Sequence, residues 1–279
     1  MIVAVDIGPV IDRPLGDALA LAAETGYTAV ELGNRDDVIP AFGPLVASPG
    51  ELADARRVAA ATAEIAAVAV IQDWAATDED VRRNAVEWWI DGIHAAARLG
   101  VSRLNSELVG SPQAPIECRA AFLRSIEQIL PVLEREDMEL SIEPHPGDFI
   151  ETTTGALELF EEIGSGRIRY LHCFAHFGYL GGTTAEQIHA AAGRFDHIHL
   201  ADTFRPERSI VNPRGLDYRV HQHFDIGAGE IDWTEAAGAL RIAGFDGLAS
   251  VQVFGWNERV HESFRRNRSV VAGMFPGLG

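Results

Sequence analysis

The chain contains no lysine: all 23 basic residues among its 279 are arginine. Arginine codons are GC-rich, so codon usage accounts for the bias, but its chemical consequence stands regardless of origin. Without lysine there is no Schiff base, which excludes pyridoxal-phosphate enzymes and imine-forming aldolases. There is no Walker A lysine either, and so no ordinary P-loop nucleotide site. Cysteine is nearly absent: Cys118 and Cys173 are the only two, too few for a disulfide framework. Positive charge is scarce, with 23 basic against 41 acidic residues and a net charge of −18. Nucleic acid is therefore not an expected partner, because phosphate binding needs a basic footprint. No apolar run reaches the roughly 18 residues of a membrane span. The opening MIVAVDIGPV lacks the positive region of a secretion signal. The expectation is a cytoplasmic protein with no membrane association.

What the chain does have is regular alternation. Short apolar runs read as strands at 2–7, 29–32, 65–71, 102–108, 138–143, 168–174, 195–201 and 248–254. Helical stretches fall at 15–25, 51–62, 78–99, 114–136, 153–163, 184–192, 233–243 and 258–272. Eight strands, each followed by a helix, predict an α/β protein with a parallel sheet, and the count favours a closed (β/α)8 TIM barrel over an open sheet. The whole of 1–279 reads as one such domain. A long loop at about 202–231, with Pro206, Pro213 and Gly215, reads as an active-site cover.

Eight of the ten histidines lie between His145 and His223, several at C-terminal ends of predicted strands, where barrel active sites form. Strand five ends Glu143-Pro144-His145-Pro146. Residues two apart on a strand share a face, so Glu143 and His145 can both reach the barrel mouth, as a metal ligand beside a general base. Strand six ends His172-Cys173-Phe174-Ala175-His176. A lone buried cysteine is normally core, but here His176 follows it, and a ligand role is open. On strand seven His197 and His199 share a face, and one of them can hold a cation; Asp202 follows as a candidate substrate contact. On strand eight Gln252 stands between two valines and should point inward, where a metal, a substrate hydroxyl or a neighbouring strand could satisfy its amide. In the long loop Arg219 and His223 can hold a polar or anionic group, although a loop arginine is usually a solvated charge. Asn105 and Glu107 on strand four, and Trp74 and Trp256, are candidates to line the pocket, with plain packing the simpler role for the tryptophans. Gly227-Ala228-Gly229 does not follow a strand, which makes it a poor dinucleotide motif.

Together these segments resemble the xylose-isomerase-like barrel superfamily, the sugar phosphate isomerases and epimerases. The resemblance covers nearly the whole chain. It rests on Gly26-Tyr27-Thr28-Ala29-Val30-Glu31-Leu32, Ile142-Glu143-Pro144-His145-Pro146, His197 through Asp202, and Ile226 through Trp233, in that order. Such enzymes place a divalent metal on Glu, Asp, His and Glu from strands five to eight. The resemblance implies metal contacts from Glu143 and His199, with Cys173 in place of the Asp, His176 at the histidine of D-x-x-H, and Gln252 in place of the second Glu. An oxygen-rich set implies Mn²⁺, with Zn²⁺, Mg²⁺ or Co²⁺ as alternatives, and true cysteine ligation shifts the balance to zinc. Isomerising members move a proton between two glutamates. Gln252 cannot take a proton at neutral pH, which leaves His145 as the base.

The Glu-Pro-His run and Gln252 also resemble the large subunit of C-glycoside deglycosidases, which work with a small β-type partner. That likeness implies β-elimination on a 3-oxo-glycoside, with His145 removing the proton α to the ketone. Three further readings are weighed against it: a ketose or keto-sugar isomerase or epimerase on the same metal site, a non-catalytic barrel subunit suggested by the altered ligands, and the superfamily's DNA-repair endonucleases, which the −18 charge disfavours. A homo-oligomer is the alternative to a small partner subunit.

Overall fold

A computed structural model describes residues 1–33, 35, 38–39, 47–181, 184–208, 221–254 and 257–275. Eight strands close into a parallel barrel in sequential order: β1 (Ile2–Asp6), β2 (Ala29–Leu32), β3 (Glu64–Ala69), β4 (Arg103–Glu107), β5 (Glu139–Glu143), β6 (Ile168–Cys173), β7 (Phe195–Leu200) and β8 (Leu248–Val251). β8 returns to β1 with Ile2 opposite Leu248 and Val5 opposite Val251. Outside lie α1 (Leu15–Glu24), α2 (Pro49–Thr62), α3 (Glu79–Leu99), α4 (Pro115–Arg135), α5 (Thr153–Ile163), α6 (Phe174–Leu180), α7 (Thr184–Ala190), α8 (Trp233–Ile242) and α9 (Val260–Met274). None of the described helices is long and apolar enough to cross a membrane.

Local chemistry sets these boundaries. Ser48 opens α2 with a capping box, its hydroxyl accepting from the Glu51 amide while the Glu51 carboxylate accepts from the Ser48 amide. Asp78, Thr152 and Asp232 cap α3, α5 and α8 in the same sense. Gly100 and Gly164 end α3 and α5 at φ +80° and +67°, where a side chain would be strained. The strands are shorter than the apolar runs. The run at 248–254, for example, leaves the ladder after Val251 and becomes loop at the mouth. One helix was not anticipated: α6 starts directly after Cys173 and takes the end of the expected strand, residue 174, and the stretch after it up to 180 into two turns of helix.

The apolar faces of the strands pack against the helices as one core. Inside the barrel, Ala4, Ala29 and Ala67 meet Leu248 in a small apolar cluster. Above it, toward the C-terminal ends of the strands, the lining becomes polar. The strand register sets Asp6 beside Glu31, Glu107 beside Glu143, and Cys173 beside His199. The fold thus delivers carboxylates, a thiol and imidazoles to one rim.

Candidate metal centre at the barrel mouth

His199 is the hub. Its ring is fully buried, with Nε2 3.2 Å from Glu31 Oε1 and Nδ1 3.1 Å from Glu143 Oε2. Burial works against a charged ring, but Glu143 and Glu31 outweigh it and hold His199 well above the usual histidine range. Burial would raise Glu31, yet His199 and the hydrogen bond from His197 hold it well below the usual carboxylate range. His197 Nε2 lies 3.0 Å from Glu31 Oε2, and Asn105 Nδ2 donates to Glu31 Oε1 at 3.2 Å. Asn105 therefore orients Glu31 and sits at the floor of the site, a more specific place than pocket lining.

Glu143, Cys173 and His199 present one ligand atom each within 4.8 Å of one another, all buried, and Glu31, His197 and His199 form a second such set. The Cys173 thiol is pushed up to about 12 by burial and by Glu143, so it carries its proton until something displaces it. A carboxylate, a thiol and an imidazole suit a divalent ion of borderline softness. The His176 ring, 2% exposed, has its Nδ1 3.7 Å from Glu143 Oε2 without a hydrogen-bond partner. A buried polar atom left open beside three converging donors fits a cation site.

Above the hub lies the base predicted from sequence. His145 Nε2 is 4.0 Å from Glu107 Oε1 and its Nδ1 is 3.7 Å from Asp148 Oδ2. Burial and Glu143 raise Glu107 to about 8; burial, with Glu107 adding, raises Asp148 to about 7. Two carboxyl groups that hold protons near neutrality flank the imidazole. His145 also packs edge-on against His176 and His221, at ring distances of 4.6 and 4.7 Å. His223 is buried, its Nδ1 2.8 Å from the Gln252 carbonyl and its Nε2 3.4 Å from His176 Nε2. The half-exposed Phe254 ring stacks on it at 5.2 Å.

Two expectations change. Gln252 does point inward, but its Nε2 donates to Asp6 Oδ2 at 3.4 Å, so the amide is tied to β1. Burial, reinforced by Glu31, raises that Asp6 carboxyl to about 7. Asp202 is not free for substrate. Its fully buried carboxylate accepts from the amides of Thr203, Gly227 and Ile231 and from Trp233 Nε1, at 2.8 to 3.2 Å. It is the anchor of the 225–233 turn. His172, next to Cys173, faces the helices and stacks on Phe177 at 4.8 Å. Trp74 packs on Trp89 at 4.6 Å, as simple packing requires. Arg219 and Trp256 lie outside the described residues.

Sequence reasoning passed over Asp6, Glu31, Asp148 and His221. Asp6 and Glu31 carried a usable signal, since each is the one acid in an otherwise apolar strand. His221 carried none beyond its type.

Residues 19–270 match the family of xylose isomerase-like TIM barrels, and the chain belongs to that family. A D-psicose 3-epimerase of Enterocloster bolteae is 24% identical over 139 residues, which is 49% of this chain and 40% of that protein. The matched stretch thus falls well short of two thirds of the relative's length. Among solved structures, a D-psicose 3-epimerase crystallised with D-fructose superposes with a TM-score of 0.77 at 14% identity, covering 98% of both chains. The 3-keto-D-glucoside 4-epimerase of E. coli gives 0.75 at 14% identity, covering 96% of this chain and 99% of that one. The IOLI protein, with a bound zinc atom, gives 0.73 at 17% identity over 98% of both. At these identities the structures speak for the fold.

Proposed function

We propose that this xylose isomerase-like barrel is a divalent-metal-dependent enzyme that moves a proton at the carbon beside a sugar carbonyl, as a keto-sugar isomerase or epimerase. The observation that carries the reading is the union of Glu143, Cys173 and His199 in one buried set, with His145 packed on His176, which itself stands 3.7 Å from Glu143. The sugar epimerases among its relatives support the substrate class.

Glu143, Cys173 and His199 would hold the ion, which supplies Lewis-acid polarisation of the substrate carbonyl. Mn²⁺ fits if the oxygen donors dominate and Cys173 stays a thiol; zinc fits if the thiolate binds. His145 takes the proton α to the carbonyl. Glu107 and Asp148 on either side steady the ring as it becomes charged. Burial of the rim removes competing water and strengthens each of these contacts.

Gln252 sharpens the mechanism. Inversion at a carbon by two bases needs a proton acceptor on each face of the sugar. Gln252 has no proton to exchange, so the chemistry runs from the His145 side. A single base that removes a proton and returns it on the same face favours 1,2-isomerisation. Conversion of a ketohexose in D₂O tests this. One base predicts partial retention of the substrate's own hydrogen, whereas complete solvent deuterium in an inverted product would mean two bases. His145→Gln should lower kcat by about 10²–10⁴-fold.

The same one-sided arrangement favours a second reading, β-elimination from a 3-oxo-glycoside in concert with a small partner subunit. Incubation with Mn²⁺ and a 3-oxo-glucoside separates the two. Free aglycone supports elimination, and an intact glycoside with altered configuration rules it out.

A further inference from the structure

Behind the metal-facing residues lies a second trio, Glu31, His197 and His199, fully buried and as closely set. We infer that Glu31 and His197 are positioning residues for the metal centre, holding His199 with Nε2 turned to Glu31 and Nδ1 presented to the ion. The inference rests on the proposed metal set and adds to it the residues that act through His199.

The contacts run inward from the centre. His199 Nδ1 stands 3.1 Å from Glu143 Oε2, and Cys173 is its neighbour across the β6–β7 ladder. On the other edge of the ring, Nε2 is 3.2 Å from Glu31 Oε1. The second Glu31 oxygen meets His197 Nε2 at 3.0 Å, and Asn105 Nδ2 donates to Oε1 at 3.2 Å. A carboxylate only accepts, so both ring nitrogens that face it carry protons. That fixes two tautomers at once. His199 keeps Nε2–H, which leaves Nδ1 as its metal-binding nitrogen. His197 donates from Nε2, and its Nδ1 has no partner.

No solvent reaches these bonds, and turning either ring over would strand a buried N–H. Glu31 comes from β2 and both histidines from β7, so rigid strands on two sides of the barrel fix the contact. The trio is not itself built for an ion. Its facing atoms are spent on one another at 3.0 to 3.2 Å, whereas the Glu143 side keeps the open Nδ1 of His176. A carboxylate on the far nitrogen of a metal-binding histidine orients the ring and makes it a stronger ligand, commonly by about 10- to 100-fold in affinity.

Zinc binding to the metal-free full chain tests this without any substrate. Calorimetry should show the tightest zinc equivalent weakened about 10- to 100-fold in Glu31→Gln, whose amide cannot accept from both rings. His197→Phe should weaken it in the same direction, and His197→Gln, which can still donate to Glu31, should recover part of the loss. A role in packing alone predicts lower unfolding midpoints at unchanged zinc affinity, and that result in both Glu31→Gln and His197→Phe overturns the inference. Nitrogen NMR of zinc-loaded, histidine-labelled wild type needs no variant. The His199 ring should keep a slowly exchanging Nε2–H and carry zinc on Nδ1. Zinc on Nε2, or a proton on Nδ1, overturns the inference even where a substituted chain fails to fold. Wild type that takes up no zinc would refute the proposed metal centre itself, and the inference with it.

Discussion

Cys173 and Gln252 decide the chemistry residue by residue. Both occupy positions where the resemblance to sugar isomerases calls for a carboxylate, and each changes what the site can do in a different direction. Cys173 changes the metal. Its thiol, raised to about 12 by burial and Glu143, must lose a proton to become a ligand, as must His199, which is held charged by Glu143 and Glu31. Binding at pH 7 should therefore release protons. Calorimetry in buffers of different ionisation enthalpy should count about two for zinc in wild type and about one in Cys173→Asp, whose carboxylate is largely ionised beforehand. The same substitution should shift preference from zinc toward Mn²⁺. A zinc-to-manganese affinity ratio unchanged by Cys173→Asp would mean that the sulfur never touches the ion. Gln252 changes the proton path, and Gln252→Glu should raise solvent deuterium uptake by adding an acceptor on the second face.

The 225–233 turn shows what elements contribute between strand and site. Asp202, just past β7, accepts three hydrogen bonds from that turn and a fourth from the adjacent Thr203 amide, and Gly229 passes so near that a Cβ would sit 2.3 Å from Asp202 Oδ1 and from the Thr203 carbonyl. Asp202→Ala strands those donors and should cost about 3–5 kcal/mol, read as a lower unfolding midpoint. Gly229→Ala should destabilise by forcing the turn away, although its φ raises no objection to a side chain. His223, on the facing loop, would lose its alignment in both, so activity should fall together with stability. The element pattern itself was legible, because periodicity of apolar residues and cap chemistry are local. The closed order β1 to β8 followed from the count of strand–helix pairs. What stayed hidden was nonlocal. Whether Asp202 faces substrate or a turn depends on Gly227, Ile231 and Trp233, more than 20 residues further on. The short α6 was missed because His172-Cys173-Phe174-Ala175-His176-Phe177 satisfies the strand pattern and the helix pattern alike. At the site, Glu143, His145, Cys173 and His199 were recognisable as polar residues at strand ends. His221 was not, because its partners come from the loop after β5 and from α6.

At the scale of the whole molecule, the rim is a reservoir of protons displaced from their ordinary values, and stability must depend on pH accordingly. Burial lowers His172 to about 3 and His223 to about 4, and likewise lowers His176, His197 and His221. These rings stay neutral in the fold, whereas the unfolded chain protonates them below pH 6.5, so they cost stability as the pH falls from 6.5. The carboxyl groups act in the opposite sense. Asp6 and Asp148 at about 7 and Glu107 at about 8 keep their protons in the fold at pH values where the unfolded chain has lost them. Their contribution is complete below about pH 4 and drains away as the pH rises through 7 and 8. His199, held charged, drains in the same direction above 6.5. Below 6.5 five histidines outweigh three carboxyls and stability climbs with pH. Above 6.5 the histidines no longer differ between the states, and the carboxyls and His199 pull stability down. Each unmatched proton changes it by about 1.4 kcal/mol per pH unit. The metal-free protein should therefore be most stable near pH 6–7. A metal at Glu143, Cys173 and His199 binds the deprotonated forms and should move that maximum to higher pH. Unfolding midpoints from pH 4.5 to 9, with and without zinc, check both statements. A metal-free midpoint that keeps rising past pH 8 would show that Asp6, Glu107 and Asp148 are ionised in the fold, and the rim would then carry more negative charge awaiting a cation.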